Sequence, residues 1–288
     1  MAVDPNSESK QQKENEGSAM ERITRAVERV RQERQDGVPL GYSTTGSVPA
    51  EEPKLRHIKV SRKTLQEHRI LDGEGKDEYV QAYKVLRTRI WHQMRANSWA
   101  TLAVTSANPG EGKTLTAINL AISLAMMEIG RAVILVDLDM RRPKVHSYFD
   151  IHPDPGISDY FMGRVPLEEA LVDPGLVERF VLLPGGRSLM NSSEILSSPR
   201  ITRLLQELRS RYPSRLVICD LPPVLAADDA LVLAPHMDAF LLVIEEGKSP
   251  RNDVSKMVEL LKDTNLVGTV LNKSDEASRQ YYGYGHRY

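Results

Sequence analysis

The nine residues from Ser106 to Thr114 constrain the fold of this 288-residue chain more than any other segment. They read SANPGEGKT, and they connect a short apolar run at 101–105 to an apolar stretch of helical pattern at 114–129. A strand that turns through a glycine-containing loop with the ending GK[ST] into a helix is typical of a phosphate-binding loop. The segment therefore predicts a nucleotide site at the point where the helix begins.

Each residue type in this loop suits phosphate chemistry. Gly110 and Gly112 allow backbone N–H groups to turn inward, and the positive end of the following helix adds its field. Lys113 is suited to neutralise the β- and γ-phosphates, and Thr114 to ligate Mg²⁺ through its hydroxyl. The general pattern begins with glycine, where this chain has alanine. The candidate nucleotide-binding residues of the loop are Ala107, Asn108, Pro109, Gly110, Glu111, Gly112, Lys113 and Thr114.

Short apolar runs alternate with helical patterns beyond the loop, which favours a mostly parallel sheet with helices on both faces. With the phosphate loop, this order predicts an α/β protein of the P-loop NTPase class. The apolar runs lie at 101–105, 132–136, 180–183, 216–219, 240–244 and 267–271. The helical patterns lie at 76–96, 114–129, 199–211 and 250–262.

Both ends of the chain differ in composition from this central part. Residues 1–18 are polar and predict a disordered arm, 20–35 predict a short amphipathic helix, and 36–53 predict a linker. The helix either packs on its own domain or docks on a partner. The P-loop domain is expected over 54–276, followed by a mobile tail at 277–288 that contains four tyrosines.

Three aspartates lie at the ends of apolar runs or two residues beyond, which predicts a second set of functional residues. Asp137 and Asp139 follow one run and Asp220 follows another. Ligands of doubly wound sheets bind at the carboxyl ends of the strands, so these carboxylates are expected to converge near Thr114. Taken singly, each aspartate also fits a helix N-cap. Together they predict a phosphoryl-transfer site with Thr114, Asp137 and Asp220 around a metal ion. The candidate catalytic residues are Lys113, Asp137 and Asp139, and the sequence does not choose between the two aspartates as base.

The overall charge and the cysteine content exclude several classes of protein. Lys and Arg total 38 against 39 Asp and Glu, so no global field attracts nucleic acid or anionic lipid. Cys219 is the one cysteine, which excludes disulfide frameworks, fits the cytosol and predicts a buried packing residue. No apolar run reaches 18 residues and the N-terminus is polar, so neither a membrane-spanning helix nor a signal peptide is expected. These features predict a cytoplasmic protein that does not bind nucleic acid.

Over residues 76–288, these motifs resemble the bacterial tyrosine kinases (BY-kinases), which are built on a P-loop ATPase fold. The resemblance rests on the loop at 107–114, Asp-x-Asp-x-Arg at 137–141, Asp-x-x-Pro at 220–223 and the terminal tyrosine cluster. It implies an ATP- and Mg²⁺-dependent protein-tyrosine autokinase that phosphorylates its own tail. The implied acceptors are Tyr281, Tyr282, Tyr284 and Tyr288. The N-terminal helix and the tail also resemble the autokinases of exopolysaccharide loci.

This resemblance further implies partners and a cellular role. The expected role is the control of exopolysaccharide chain length or export. The expected partners are a second copy, for transfer between subunits, and a separate integral membrane co-polymerase or adaptor that holds the kinase at the inner membrane. The family's oligomerisation motif Glu-x-x-Arg-x-x-Arg appears here as Gln81, Lys84 and Arg87, which leaves the ring size open.

Three other functions fit parts of the same pattern. A ParA/MinD-like ATPase acting as a dimerisation switch shares the fold, but Asn108 stands where those proteins have lysine, and they lack the tyrosine cluster. A GTPase is suggested by Asn-Lys-Ser-Asp at 272–275, although four residues are a weak match. A scaffold without catalytic activity is disfavoured by the complete set of site residues. In the kinase hypothesis, Asn272 is expected to contact the nucleobase.

Overall fold

A computed structural model describes residues 55–72, 78–127, 132–211 and 215–274. Within them, eight strands form one sheet in the order β1-β4-β5-β3-β6-β2-β7-β8. The predicted arm, amphipathic helix, linker and domain boundary at the N-terminus, and the tail with Tyr281, Tyr282, Tyr284 and Tyr288, lie outside the described residues. The strands are β1 (Arg56–His57), β2 (Thr101–Ser106), β3 (Ala132–Asp137), β4 (Val172–Asp173), β5 (Phe180–Leu183), β6 (Arg215–Asp220), β7 (Ala239–Glu245) and β8 (Leu266–Asn272).

Helices cover both faces of this sheet. The longer ones follow the predicted patterns, because each has enough turns to show its apolar face in the sequence. The helix after the phosphate loop, however, ends at Ala125, four residues before the predicted end at 129. The helices are α1 (Arg62–Glu67), α2 (Glu78–Ala96), α3 (Lys113–Ala125), α4 (Val145–Tyr148), α5 (Ile157–Phe161), α6 (Leu167–Ala170), α7 (Ser192–Leu196), α8 (Pro199–Arg211), α9 (Asp229–Leu233), followed by a 3₁₀ turn at Ala234–His236, and α10 (Arg251–Leu260).

Nearly all strand pairs in the sheet are parallel, as the sequence predicts. Within the described residues, only β4 pairs antiparallel, with β5, and this pairing is a single residue pair in register. β2, β3 and β5 are buried along most of their length, which explains why they are continuous apolar runs rather than alternating ones. The prediction of a mostly parallel α/β fold is therefore confirmed.

Helix α3 lies against the centre of the sheet, and this position fixes the site. Nearly all of its side chains are buried, so the helix is enclosed on every side rather than along one stripe. Its N-terminus follows β2, whose neighbours in the sheet are β6 and β7. The loop that joins β2 to α3 therefore opens at the carboxyl edge of the sheet, where ligands of such folds bind.

The two strands that carry the predicted aspartates are direct neighbours. β3 pairs with β6 in parallel, and the register places Asp137 opposite Asp220. Each residue ends its strand, so both carboxylates leave the sheet at the same edge. Among the described residues, no helix is long and apolar enough to cross a membrane.

Candidate active site

Two glycines give the phosphate loop its shape. Gly110 and Gly112 have φ values of 87° and 96°, in the left-handed region that favours glycine. A β-carbon on Gly112 would also collide with the side-chain amide of Asn272, so any larger residue is excluded twice. Gly112 is the N-cap of α3 and offers no side-chain cap, which leaves the first N–H groups of the helix suited to an anion.

The back of the loop is held by two side chains at the end of β8. Asn272 donates from Nδ2 to the backbone oxygen of Glu111 at 2.9 Å, and Lys273 donates from Nζ to that of Gly110 at 2.9 Å. In a planar trans peptide, a carbonyl and the next N–H point in opposite directions. Since both carbonyls turn to the back, the N–H groups of Glu111 and Gly112 point to the opposite side. The loop thus presents two donors where phosphate oxygens are expected.

The side chain of Glu111 also holds the loop in place through hydrogen bonds. Its buried carboxylate accepts the backbone N–H of Asn108 at 3.0 Å and the hydroxyl of Ser249. The side chain of Asn108 donates to Asp253 at 2.9 Å. These bonds connect the loop to the β7–α10 connection and to α10 itself. They also keep the negative charge of Glu111 bound within the loop.

A buried cluster of one cation and three carboxylates lies in front of the loop. The ammonium of Lys113 lies 3.1 Å from Asp139 Oδ2 and 3.3 Å from Asp220 Oδ1. Thr114 donates its hydroxyl proton to Asp220 Oδ2 at 2.7 Å. Burial alone would lower the pKa of Lys113, but the charges of Asp220 and Asp139 outweigh it and raise that pKa above its usual value. Four of the predicted site residues therefore meet here.

Asp137 is held by the backbone of the loop that follows it. Its Oδ2 accepts the N–H groups of Lys144 and Val145, both at 3.0 Å, and its Oδ1 accepts that of Asp139 at 3.2 Å. Complete burial and the nearby charge of Asp220 nevertheless raise the pKa of Asp137 to about 8. Burial also raises the pKa of Asp220, although Lys113 opposes this. A carboxylate with such a pKa can hold a proton near neutral pH, which suits acid–base chemistry.

The residues present fit a magnesium ion. Thr114 and Asp220 offer a hydroxyl and a carboxylate, which are the oxygen ligands that Mg²⁺ takes. In the described part of the chain, no three His, Cys, Asp or Glu side chains form a complete metal cage. Mg²⁺ does not need one, because it keeps water and takes further ligands from substrate phosphates.

Sequence reasoning missed a polar cluster beside the aspartates. Arg141 lies 3.1 Å from Asp228 and 3.2 Å from Asp229, which is fully buried. Ser192 and Ser193 complete the cluster, at 3.0 Å and 2.9 Å from the same guanidinium. The loop after β3 is thereby joined to α7 and α9. Two signals were visible in the sequence, the arginine of Asp-x-Asp-x-Arg and the stretch Asn-Ser-Ser-Glu at 191–194, which resembles a loop of the same family, but no catalytic role was assigned to either.

Two further predictions can be compared with the structure. Cys219 is fully buried in β6, as expected for a packing residue. Arg87, the last residue of the altered oligomerisation motif, donates to the backbone oxygen of Ser123 at 2.8 Å within its own chain. Gln81 and Lys84 are exposed. Assembly through this motif stays a prediction.

Comparison with known proteins identifies the family. The AAA domain family matches residues 100–271. Tyrosine-protein kinase YwqD of Bacillus subtilis is 32% identical over 232 residues, which are 80% of this chain and 95% of that protein. The chain belongs to the bacterial tyrosine kinase family. Tyrosine-protein kinase etk of Escherichia coli is 28% identical, but the match covers 85% of this chain and only 35% of the etk protein.

Solved structures of bacterial tyrosine kinases share this architecture. The kinase domain of E. coli ETK has a TM-score of 0.63 at 27% identity, covering 78% of this chain and 94% of that one. The chimerical protein CapA2B2 has a TM-score of 0.66 at 25% identity, covering 77% and 94%. The predicted resemblance and the P-loop fold are confirmed, and the fold implies nucleotide binding. The ParA/MinD-like alternative has weaker support than the tyrosine kinase family.

Proposed function

We propose that this chain transfers the γ-phosphoryl group of ATP to tyrosines of its own C-terminal cluster. The observation that carries the proposal is the arrangement at one sheet edge. A loop with its N–H groups turned forward faces a buried cluster of Lys113, Thr114 and three aspartates. Phosphoryl transfer requires positioning and charge stabilisation of this kind more than covalent chemistry.

In the proposed complex, the loop amides and Lys113 bind the phosphates. Thr114 and Asp220 would hold the metal directly, and Asp137 would act on it from farther away, because both of its oxygens already accept backbone N–H groups. Mg²⁺ supplies positive charge against the β- and γ-phosphate oxygens. Lys113 exchanges its contacts with Asp139 and Asp220 for contacts with phosphate. Asn272 is proposed to contact the nucleobase beside its bond to the loop.

The transfer step needs an acceptor for the tyrosine proton. The tyrosine oxygen forms a new bond to the γ-phosphorus, the bond to the β,γ-bridging oxygen breaks, and its electron pair leaves with ADP. A tyrosine hydroxyl has a pKa of about 10, so its proton must be accepted as the bond forms. Asp137 or Asp139 takes that proton in this proposal. The raised pKa of Asp137 is consistent with the role.

The proposed acceptors are Tyr281, Tyr282, Tyr284 and Tyr288. A tail that starts at residue 277 spans about 40 Å when fully extended, from about 3.3 Å per residue. That reach allows transfer to a second copy, so we propose a homo-oligomer. We also propose that the kinase regulates exopolysaccharide chain length or export. A separate integral membrane co-polymerase or adaptor would hold it at the inner membrane.

Phosphopeptide mass spectrometry of the purified full chain, incubated with ATP and Mg²⁺, tests the proposal. Lys113→Met and Asp137→Asn should each remove tail phosphotyrosine. Lys248→Met is the matched control, because this exposed lysine is outside the cluster. Tail peptides that remain modified in both site variants would show that another kinase modifies the tail. ATP hydrolysis without phosphotyrosine would contradict the proposal directly.

A further inference from the structure

Two loops meet beside the aspartate cluster. One follows β3 and covers 138–144, and the other follows β5 and covers 184–189. The N–H of Leu189 donates to the backbone oxygen of Met140 at 2.8 Å, and the hydroxyl of Ser188 donates to that of Arg141 at 2.6 Å. The second loop also approaches Asp137 closely, because a β-carbon on Gly185 would lie 3.3 Å from its Oδ2. The two loops therefore form one surface next to the proposed proton acceptor.

This surface carries three exposed basic side chains, Arg142, Lys144 and Arg187, which we call the basic rim. The backbone N–H groups of Arg142 and Lys144 donate to the carboxylates of Asp139 and Asp137, so both basic side chains branch from backbone that contacts the proposed proton acceptors. Neither side chain forms an ion pair in the part of the chain that the structure describes. Arg187 shares its charge with Asp154, at 2.9 Å. The rim thus offers at least two uncompensated positive charges.

The unmodified tail does not complement this surface. From residue 277 onward the tail contains Arg279, His286 and Arg287 but no acidic residue, so the rim repels it. A phosphotyrosine adds about 1.5 to 2 negative charges and three strong acceptor oxygens. The acceptor tyrosines are spaced one, two and four residues apart, so neighbours lie about 3 to 13 Å from each other in an extended chain. When one tyrosine is at the cluster, the next therefore reaches the adjacent surface.

We propose that the basic rim binds a phosphotyrosine of the tail while a neighbouring tyrosine occupies the aspartate cluster. The first phosphorylation then favours the later ones on the same tail. The inference rests on the proposed autokinase function and adds its preferred substrate, a tyrosine peptide that already contains phosphotyrosine. Arginine is suited to this contact, because its guanidinium can bind two phosphate oxygens at once.

The test uses the full chain with Tyr281→Phe, Tyr282→Phe, Tyr284→Phe and Tyr288→Phe, which cannot phosphorylate its own cluster. Two peptides of residues 277–288 keep Tyr282 as the sole acceptor and differ only at position 284, which is phosphotyrosine in one and phenylalanine in the other. We expect kcat/KM to be about tenfold higher for the phosphorylated peptide, since exposed charge contacts each contribute a factor of a few. The gain should lie mainly in KM. It should decrease in 0.5 M NaCl, because the screening length falls from about 10 Å at 0.1 M salt toward about 3 Å at 1 M.

The rim itself is tested in the same background with Arg142→Gln combined with Lys144→Gln. This variant should bring the ratio between the two peptides close to one. Arg203→Gln combined with Lys256→Gln removes two exposed charges elsewhere and should leave the ratio unchanged. Because each ratio is measured within one variant, a general loss of activity does not affect it.

The outcomes separate this inference from the proposed function. Equal kcat/KM for both peptides, or a preference that persists without Arg142 and Lys144, would overturn the role of the rim. Phosphorylation of neither peptide would contradict the autokinase function instead. In that case, fluorescence anisotropy of the labelled peptides still decides, because the rim requires tighter binding of the phosphorylated one.

Discussion

Removing the ammonium of Lys273 should weaken the binding of phosphates without changing the binding of the nucleobase. In Lys273→Met, the apolar stem of the side chain is kept and the bond to the backbone oxygen of Gly110 is lost. That carbonyl is then free to rotate, and the N–H of Glu111 in the same peptide plane rotates with it. The donor that we assign to phosphate loses its fixed direction.

The expected size follows from the geometry of this bond. The nitrogen of Lys273 lies 2.9 Å from Gly110 O and 2.9 Å from Glu245 Oε2, and the side chain is 48% exposed. A buried hydrogen bond to a charged group contributes about 1.5–3 kcal/mol, and exposure to water reduces this to about 1 kcal/mol here. A change of about 1 kcal/mol corresponds to about a fivefold increase in Kd.

Isothermal titration calorimetry with two probes separates phosphate binding from base binding. ADP contains both parts, whereas inorganic pyrophosphate lacks the base. Lys273→Met should weaken both by about the same fivefold factor. Lys248→Met is a close control, because Lys248 lies 3.4 Å from the other oxygen of the same Glu245 carboxylate. It should change neither affinity.

Either of two results would refute this reasoning. A loss confined to ADP would show that Lys273 acts on the nucleoside rather than on the loop. An equal loss in Lys248→Met would show that the charge around Glu245 matters, and not the bond to Gly110. The same two probes can be applied to Asn272→Ala. Loss of its bond to the loop should weaken the binding of both ADP and pyrophosphate, whereas loss of the proposed contact with the nucleobase should weaken the binding of ADP alone.

Three other changes have expected outcomes. In the wild type, the raised pKa of Asp137 means that stability is lost as the pH rises from about 4 through about 8. Asp137→Asn removes this loss, so it should raise Tm relative to the wild type more at pH 9 than at pH 5. Gly112→Ala should abolish ADP binding in calorimetry, because its φ of 96° and Asn272 both exclude a β-carbon. Arg141→Gln should cost about 2 kcal/mol in urea unfolding, less when combined with Asp229→Asn, because a buried carboxylate loses its partner.

The parts of the fold that could be predicted from sequence are those with long local patterns. Six apolar runs became strands within about one residue, because a buried parallel strand requires an unbroken apolar run. β1 and β4 have two residues each and show no pattern at all. The short helices α1, α4 to α7 and α9 were missed for the same reason. Their positions depend on tertiary contacts, such as the close approach of Gly156 to Gly186.

The site residues that could be predicted are likewise those that a local sequence pattern marks. Asp137 and Asp220 were expected to converge because each follows a strand, and the register of β3 and β6 shows why they do. The bond from Asn272 to Glu111 could not be predicted, because it joins residues 161 positions apart and the tetrapeptide motif does not reveal its partner. Arg141 was visible in its motif, but its partners Asp228 and Asp229 come from a different part of the chain.

The two halves of the site have opposite energetic requirements. The carbonyls at the back of the loop are satisfied within the protein, because Asn272 and Lys273 donate to them. The front collects three carboxylates near the ammonium of Lys113, and burial raises the pKa of two of them, Asp137 and Asp220. When phosphates attract Lys113, the aspartates lose their counter-charge. We therefore expect a second cation to bind at Thr114 and Asp220 in the same step, which would couple nucleotide binding to metal binding through the protein's own charges.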